Sequence, residues 1–174
     1  MVERGLTVRR RGDNKPVRRW VRVKALSDDE KAAVAATCER FVAERLKPRF
    51  LPEIRPTSFN YPVDLFGRWR GSKFSFIVRY RSGFADNRGE EFDSAFTRLD
   101  HVEECLNEIR FDVMWHRHTG QWWRQHTSVT LEEALRLIET EPILQPHLGP
   151  ARRPGPQDGG ASDRPNRSGR REHG

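Results

Sequence analysis

Phe74-Ser75-Phe76-Ile77-Val78-Arg79-Tyr80-Arg81 is the stretch on which the fold turns. Phe74, Phe76, Val78 and Tyr80 share one parity, and Ser75, Ile77, Arg79 and Arg81 share the other. Successive side chains of a strand point to opposite faces, so this alternation predicts a strand with one apolar face. Just upstream, Val63, Leu65 and Trp69 keep the same rhythm, and Arg70-Gly71-Ser72 turns the chain between the two runs. The pair reads as a β-hairpin. Downstream, Asp86-Asn87-Arg88-Gly89 predicts a loop and Phe92 to Leu99 a third strand. Residues 100–108 read as an acidic excursion with one helical turn. Ile109, Phe111, Val113 and Trp115 alternate as a fourth strand, and His118-Thr119-Gly120-Gln121 turns into a fifth, Trp122 to His126.

On either side of this meander the period changes to that of a helix. Ser27 followed by Glu30 forms the pattern of a capping box, in which two orphan backbone amides are satisfied reciprocally. The helix it opens is expected to run from Asp28 to Leu46, with Val34, Cys38, Phe41, Val42 and Arg45 on one face and Pro48 ending it. Pro48, Pro52 and Pro56 then mark an extended connector. Thr130 and Glu133 repeat the capping pattern, Leu131, Ala134, Leu135 and Ile138 form an apolar stripe, and Pro142 stops the second helix. The expected fold class is α+β: an antiparallel meander of four to five strands flanked by an N-terminal and a C-terminal helix, both covering one face of the sheet.

Charge divides the chain into three parts. Residues 1–26 hold nine Lys and Arg against two acids, and residues 149–174 hold six against three. The central part, 27–148, holds seventeen against twenty, so the ends supply all of the net +7. The expected organisation is therefore a basic, mostly disordered arm (1–26), a domain (27–148), and a disordered tail rich in Gly, Pro and Arg (149–174). No apolar run approaches the ~20 residues needed to cross a bilayer, and no secretory signal is visible, so the expected location is the cytoplasm, away from membranes. Two cysteines without CxxC spacing predict no structural disulfide there; Cys38 reads as a buried core thiol, and Cys105 falls in a loop.

Three stretches carry a resemblance: Phe41-Val42-Ala43-Glu44-Arg45 through Pro48 to Ile54-Arg55-Pro56; Trp115-His116-Arg117 with Trp122 five residues beyond the Arg; and Thr130-Leu131-Glu132-Glu133-Ala134-Leu135 running into Ile138. Together they span roughly residues 40–141, and the domain resembles a bacterial family known as domain of unknown function 3024. The chain departs from that pattern at Thr119 and Gln125, lacks an aromatic-Gly ending, and carries 100–108 as an insertion. The resemblance implies the fold order and no activity.

Candidate sites lie on the predicted sheet. His116 and His118 share a face, and neutral imidazoles are good metal ligands. Whether His126 joins them depends on register. If His118 pairs with Gln121, His126 lies opposite Val113 on the other face; if His118 pairs with Trp122, it lies opposite Met114 on the same face. Trp115, Arg117 and Trp122 are expected to form a stack with cation–π character that pins the hairpin. Aromatic and basic residues interleave on several strands, but parity sends each aromatic and its neighbouring Arg to opposite faces, which favours aromatics inward and Arg outward. Glycine-rich phosphate loops, nucleophile elbows and HExxH or CxxC motifs are missing from the sequence, so it gives no catalytic residue and calls for no cofactor. The expected function is a non-enzymatic protein-binding or accessory module with a protein partner. The alternatives are nucleic-acid association through basic arms (Arg9, Arg10, Arg11, Arg18 and Arg19) and a metal-dependent enzyme built on the His116/His118 hairpin.

Overall fold

A computed structural model describes residues 2–8 and 17–148. Its centre is a five-stranded antiparallel sheet of sequential hairpins, β3 (Tyr61–Arg70), β4 (Lys73–Arg81), β5 (Glu91–His101), β6 (Phe111–His116) and β7 (Trp122–Val129), in that order across the sheet. β4 carries the predicted alternation: Phe74, Phe76, Val78 and Tyr80 are all buried. Gly71 makes the β3–β4 turn at φ 63°, a left-handed conformation that glycine adopts without steric cost. Pro62, which lacks an amide for the ladder, sits at a bulge before Asp64, and this leaves Val63 outside the strict alternation of Leu65 and Trp69. Gly67 is where Phe74 packs back onto β3: a Cβ there would lie 2.3 Å from the Phe74 ring.

Two capped helices close one face of the sheet. α1 (Asp28–Phe41) and α3 (Leu131–Thr140) each begin with a complete capping box, at Ser27/Glu30 and Thr130/Glu133. Val34, Cys38 and Phe41 of α1 and Ala134 and Ile138 of α3 join Phe74, Phe76, Phe111 and Val113 in a single core. Edge-on aromatic contacts run through it, with Phe41–Phe76 at 6.3 Å, Phe74–Phe76 at 5.4 Å and Trp69–Phe74 at 5.3 Å. Trp69 also donates its indole N–H to the Lys31 carbonyl, and buried Thr97 donates to the Leu144 carbonyl at 2.8 Å. These bonds tie the sheet to the helix layer at both ends. Arg45, placed with the apolar face by its spacing, instead reaches across to Glu139 of α3.

Two expectations are corrected. Pro48 does not end the first helix. After a π turn (Val42–Leu46) the chain continues as α2 (Lys47–Phe50). The π turn widens the bonding, with the Lys47 amide reaching the Val42 carbonyl, so the helix passes the proline without needing the amide it lacks. The 100–108 excursion contains no helical turn: β5 continues to His101, and residues 102–110 are turns and bends. Within residues 1–26, β1 (Val2–Val8) pairs antiparallel with β2 (Val17–Val23), placing Val2 opposite Val23 and Val8 opposite Val17. The tail expectation for 149–174 lies outside the described residues. No helix among the described residues is long and apolar enough to cross a membrane.

Candidate functional site

Because both helices lie on one side, no helix among the described residues covers the other side of the sheet. Strand parity sends Phe66, Ile77, Ala95, Met114 and Trp122 there together with most of the sheet's arginines. The arginines are matched with acids. Arg81 meets Glu91 at 2.6 Å and Arg79 meets Asp93 at 2.9 Å, each pair directly opposite in register. Arg98 holds Asp100 with its terminal nitrogen at 2.8 Å, and Arg124 reaches Asp112 at 3.1 Å. The hydrogen bond that Arg79 donates to Asp93, with that carboxylate's charge, holds its guanidinium still more firmly protonated than usual, and Glu91 does the same for Arg81. Exposed pairs of this kind contribute about 0–1 kcal/mol each, so their main effect is to fix where each guanidinium points.

Two aromatic rings sit inside this ionic lattice. Phe66 has Arg79 above it at 4.8 Å and Arg68 at 6.0 Å. Trp122 has two closer neighbours: Arg98 lies 4.3 Å from its ring and the His116 imidazole stacks on it at 4.6 Å and 28°. His116 Nδ1 lies 2.8 Å from the Ala95 carbonyl. A carbonyl only accepts, so Nδ1 donates, and in the neutral ring Nε2 is the acceptor. Arg98, His116 and Trp122 come from three adjacent strands and form one half-buried polar–aromatic platform.

The hairpin residues singled out by the sequence are partly separated by the observed register. His116 pairs with Trp122 and Trp115 with Trp123, around a five-residue turn in which Gly120 has φ 80° and the Arg117 amide donates to the Gln121 carbonyl. Trp115 therefore packs against the helix-side core while Trp122 faces the other way. Arg117 does lie over an indole, but it is that of Trp123, at 5.0 Å. The expected Trp115–Arg117–Trp122 stack is thus replaced by Arg98–Trp122–His116 on one face and Arg117–Trp123 on the other. His118 stays in the turn, exposed, paired with neither Gln121 nor Trp122. Bulges between Phe111 and Val113 and between Val113 and Met114 then bring His126 opposite Val113, on the helix side, where Nε2 meets Glu141 at 2.9 Å. The three histidines do not converge, and among the described residues no group of three or more His, Cys, Asp or Glu is placed to hold a metal ion. Arg9, Arg10 and Arg11 lie outside the described residues; Arg18 and Arg19 stand on β2 opposite Thr7 and Leu6.

A second feature has no counterpart in the sequence reading. Ser128, in β7, holds φ 53°, the left-handed region that costs a side-chain-bearing residue ~1–2 kcal/mol. Its amide donates to Asp112 at 2.9 Å and its carbonyl accepts from Arg110 at 3.2 Å. It lines a wide cleft of about 590 Å³ with Cys105, Leu106, Asn107, Glu108 and Arg110. The Cys105 thiol lies 3.6 Å from the Ser128 hydroxyl, and Arg110 is bonded to Glu108. A hydroxyl is too weak a base to take a thiol proton at neutral pH, so this arrangement does not activate the cysteine. Cys38, fully buried, is further from reactivity, because burial pushes its thiol up to about 12. Nothing in the local sequence around Ser128 signals its backbone; the cause is tertiary, a bulged edge strand tied down by Asp112 and Arg110.

Comparison with known proteins adds one finding. No curated protein matches the chain, and no solved structure does. Residues 26–145, from the entry to α1 through the last turn after α3, match the family model described as Domain of unknown function (DUF3024), and on that match, which takes in more than half of its length, the chain belongs to this family.

Proposed function

We propose that this chain is a protein-binding module that receives its partner on the helix-free face of the sheet, around Trp122. The observation that carries the reading is the Arg98–Trp122–His116 platform, an indole in contact with both a guanidinium and an imidazole. Arg and Trp are the residues most enriched among those that dominate binding energy, and they do so where a rim of other contacts excludes water. The Arg124–Asp112 pair on β7 and β6 and the Arg79–Asp93 and Arg81–Glu91 pairs across β4 and β5 supply polar contacts elsewhere on the same face. The same pairs argue against a polyanion on this face. A phosphate backbone gains affinity from guanidinium groups free to replace its counterions, and here each of these guanidiniums already faces a carboxylate.

The test is comparative affinity capture with the wild-type chain and Trp122→Ala. A partner retained by the wild type should fall at least about tenfold with Trp122→Ala, since a central aromatic anchor commonly accounts for ~2 kcal/mol or more. Both proteins should show the same thermal unfolding profile to within a few degrees. Equal recovery of the same partners by both would rule the face out.

A further inference from the structure

The least explained polar group in the described structure is not on that face. His101, the last residue of β5, is 7 % exposed, and neither ring nitrogen has a hydrogen-bond partner. Its ring packs edge-on against Phe111 at 6.0 Å, and its backbone amide is bonded to the Ser72 carbonyl. Buried polar groups are overwhelmingly paired, and an apolar side chain of similar shape would avoid the desolvation cost of two bare nitrogens. The imidazole is therefore a liability to the fold as it stands.

Its surroundings show what that liability is coupled to. The charged groups facing His101 are Glu103 and Glu104 of its own loop, Glu30 of α1, and Lys24 of the junction between β2 and α1. That junction is fastened here: the Lys24 amide donates to the Glu103 carbonyl at 2.7 Å, Lys24 Nζ holds Glu30 at 2.7 Å, and Val23 and Leu26 on either side are buried. Burial works against a proton on the imidazole, while the three carboxylates would reward that proton once the ring met water. Closing the junction and protonating the ring thus oppose each other, and opening it and protonating the ring assist each other.

We propose that His101 is a proton-sensitive latch on the β2–α1 junction: with the imidazole neutral the junction is fastened to the domain, and with it protonated the junction opens while the sheet and its helices stay folded. The proton comes from solvent and no covalent bond changes. The direction of the titration agrees, since burial holds the imidazole below its ordinary value. A histidine depressed in the folded state contributes stability that is complete above the ordinary imidazole value. That stability is lost as pH falls from there through the lowered one.

Native-state hydrogen exchange on the full chain tests this at about pH 7.5 and about pH 5.5, on either side of the ordinary imidazole value. Corrected for intrinsic exchange, protection of the Lys24 amide should fall several-fold at the lower pH, toward a limit of about tenfold set by a pH one unit below the ordinary imidazole value. Protection of the Val78 amide, in the middle of β4, should not change. In His101→Phe, which fills the same space without a titrating group, Lys24 protection should be the same at both pH values and higher than in the wild type at the lower one. His101→Gln, also uncharged at both, serves if the Phe variant does not fold. Protection at Lys24 that does not fall in the wild type would overturn the latch. So would an equal fall in both neutral variants, or a simultaneous loss at Val78.

Discussion

The two outer hairpins of the sheet are built to different rules. In β3–β4 the register runs without interruption from Asp64↔Arg79 to Arg70↔Lys73, and its inward side chains, Leu65, Phe74, Phe76 and Val78, are buried. In β6–β7 the register shifts twice within five residues of β6, a serine stands at positive φ, and Trp123 is 49 % exposed. One hairpin is fixed by what it buries: a one-residue slip would put Phe74 and Phe76 into water. In the other, β6 buries Phe111 and Val113 but its partner β7 is an edge strand with no fully buried side chain, so bulges are tolerated and re-aim side chains such as His126. The half of the sheet that varies its geometry is the half that carries the Arg98–Trp122–His116 platform.

Aromatic truncation should give the largest separation between the two hairpins. Phe74→Ala removes a fully buried ring that touches Trp69 and Phe76, and should cost about 3–5 kcal/mol in urea denaturation. Trp123→Ala removes a half-exposed ring whose contact with Arg117 is of cation–π type, and should cost about 1 kcal/mol or less. If the two losses were equal, the distinction between a buried and an open hairpin would collapse. A smaller effect, about 1–3 kcal/mol, is expected from Gly67→Ala, because the new Cβ would meet the Phe74 ring and force it off its rotamer. Combining Gly67→Ala with Phe74→Leu should recover part of that loss, since the clash is with the ring itself.

The same contrast explains what could be read from the sequence. Phe74 to Arg81 announced itself because one face is buried along its whole length, and the capping boxes at Ser27 and Thr130 are local chemistry that needs no tertiary knowledge. The fold order and the two-helix cover follow from those signals. The β6–β7 register could not follow, because parity arguments count residues and two bulges change the count. The five-residue turn pairs His116 with Trp122 and so puts Trp115 and Trp122 on opposite faces, and the two bulges further along decide where His126 lies. Ile77 is a related case: its parity assigns it to the polar face, yet it is 4 % exposed, opposite Phe66 and Ala95. His101 gave no signal either, since its anomaly is an absence of partners, and partners are a property of the packed chain.

The finest division between the hairpins is a matter of sign. Ser128 at φ 53° strains a residue that has a Cβ, so Ser128→Gly should relieve more than the extra unfolded-state freedom of glycine takes away. The expected result is a gain of about 0.5–1 kcal/mol. The only side-chain contact given up is the long one between the hydroxyl and the Cys105 thiol. The same substitution at Ser75, mid-strand in β4, meets no strain to relieve. It pays the entropy of a glycine in extended backbone, a loss of about 0.5–1 kcal/mol. Thermal unfolding of the two variants side by side should therefore move in opposite directions from the wild type. If Ser128→Gly were destabilising by as much as Ser75→Gly, the left-handed backbone at 128 would not be strained. The irregularity of β7 would then be fully compensated by Asp112 and Arg110, and the edge hairpin would be as tightly determined as the buried one.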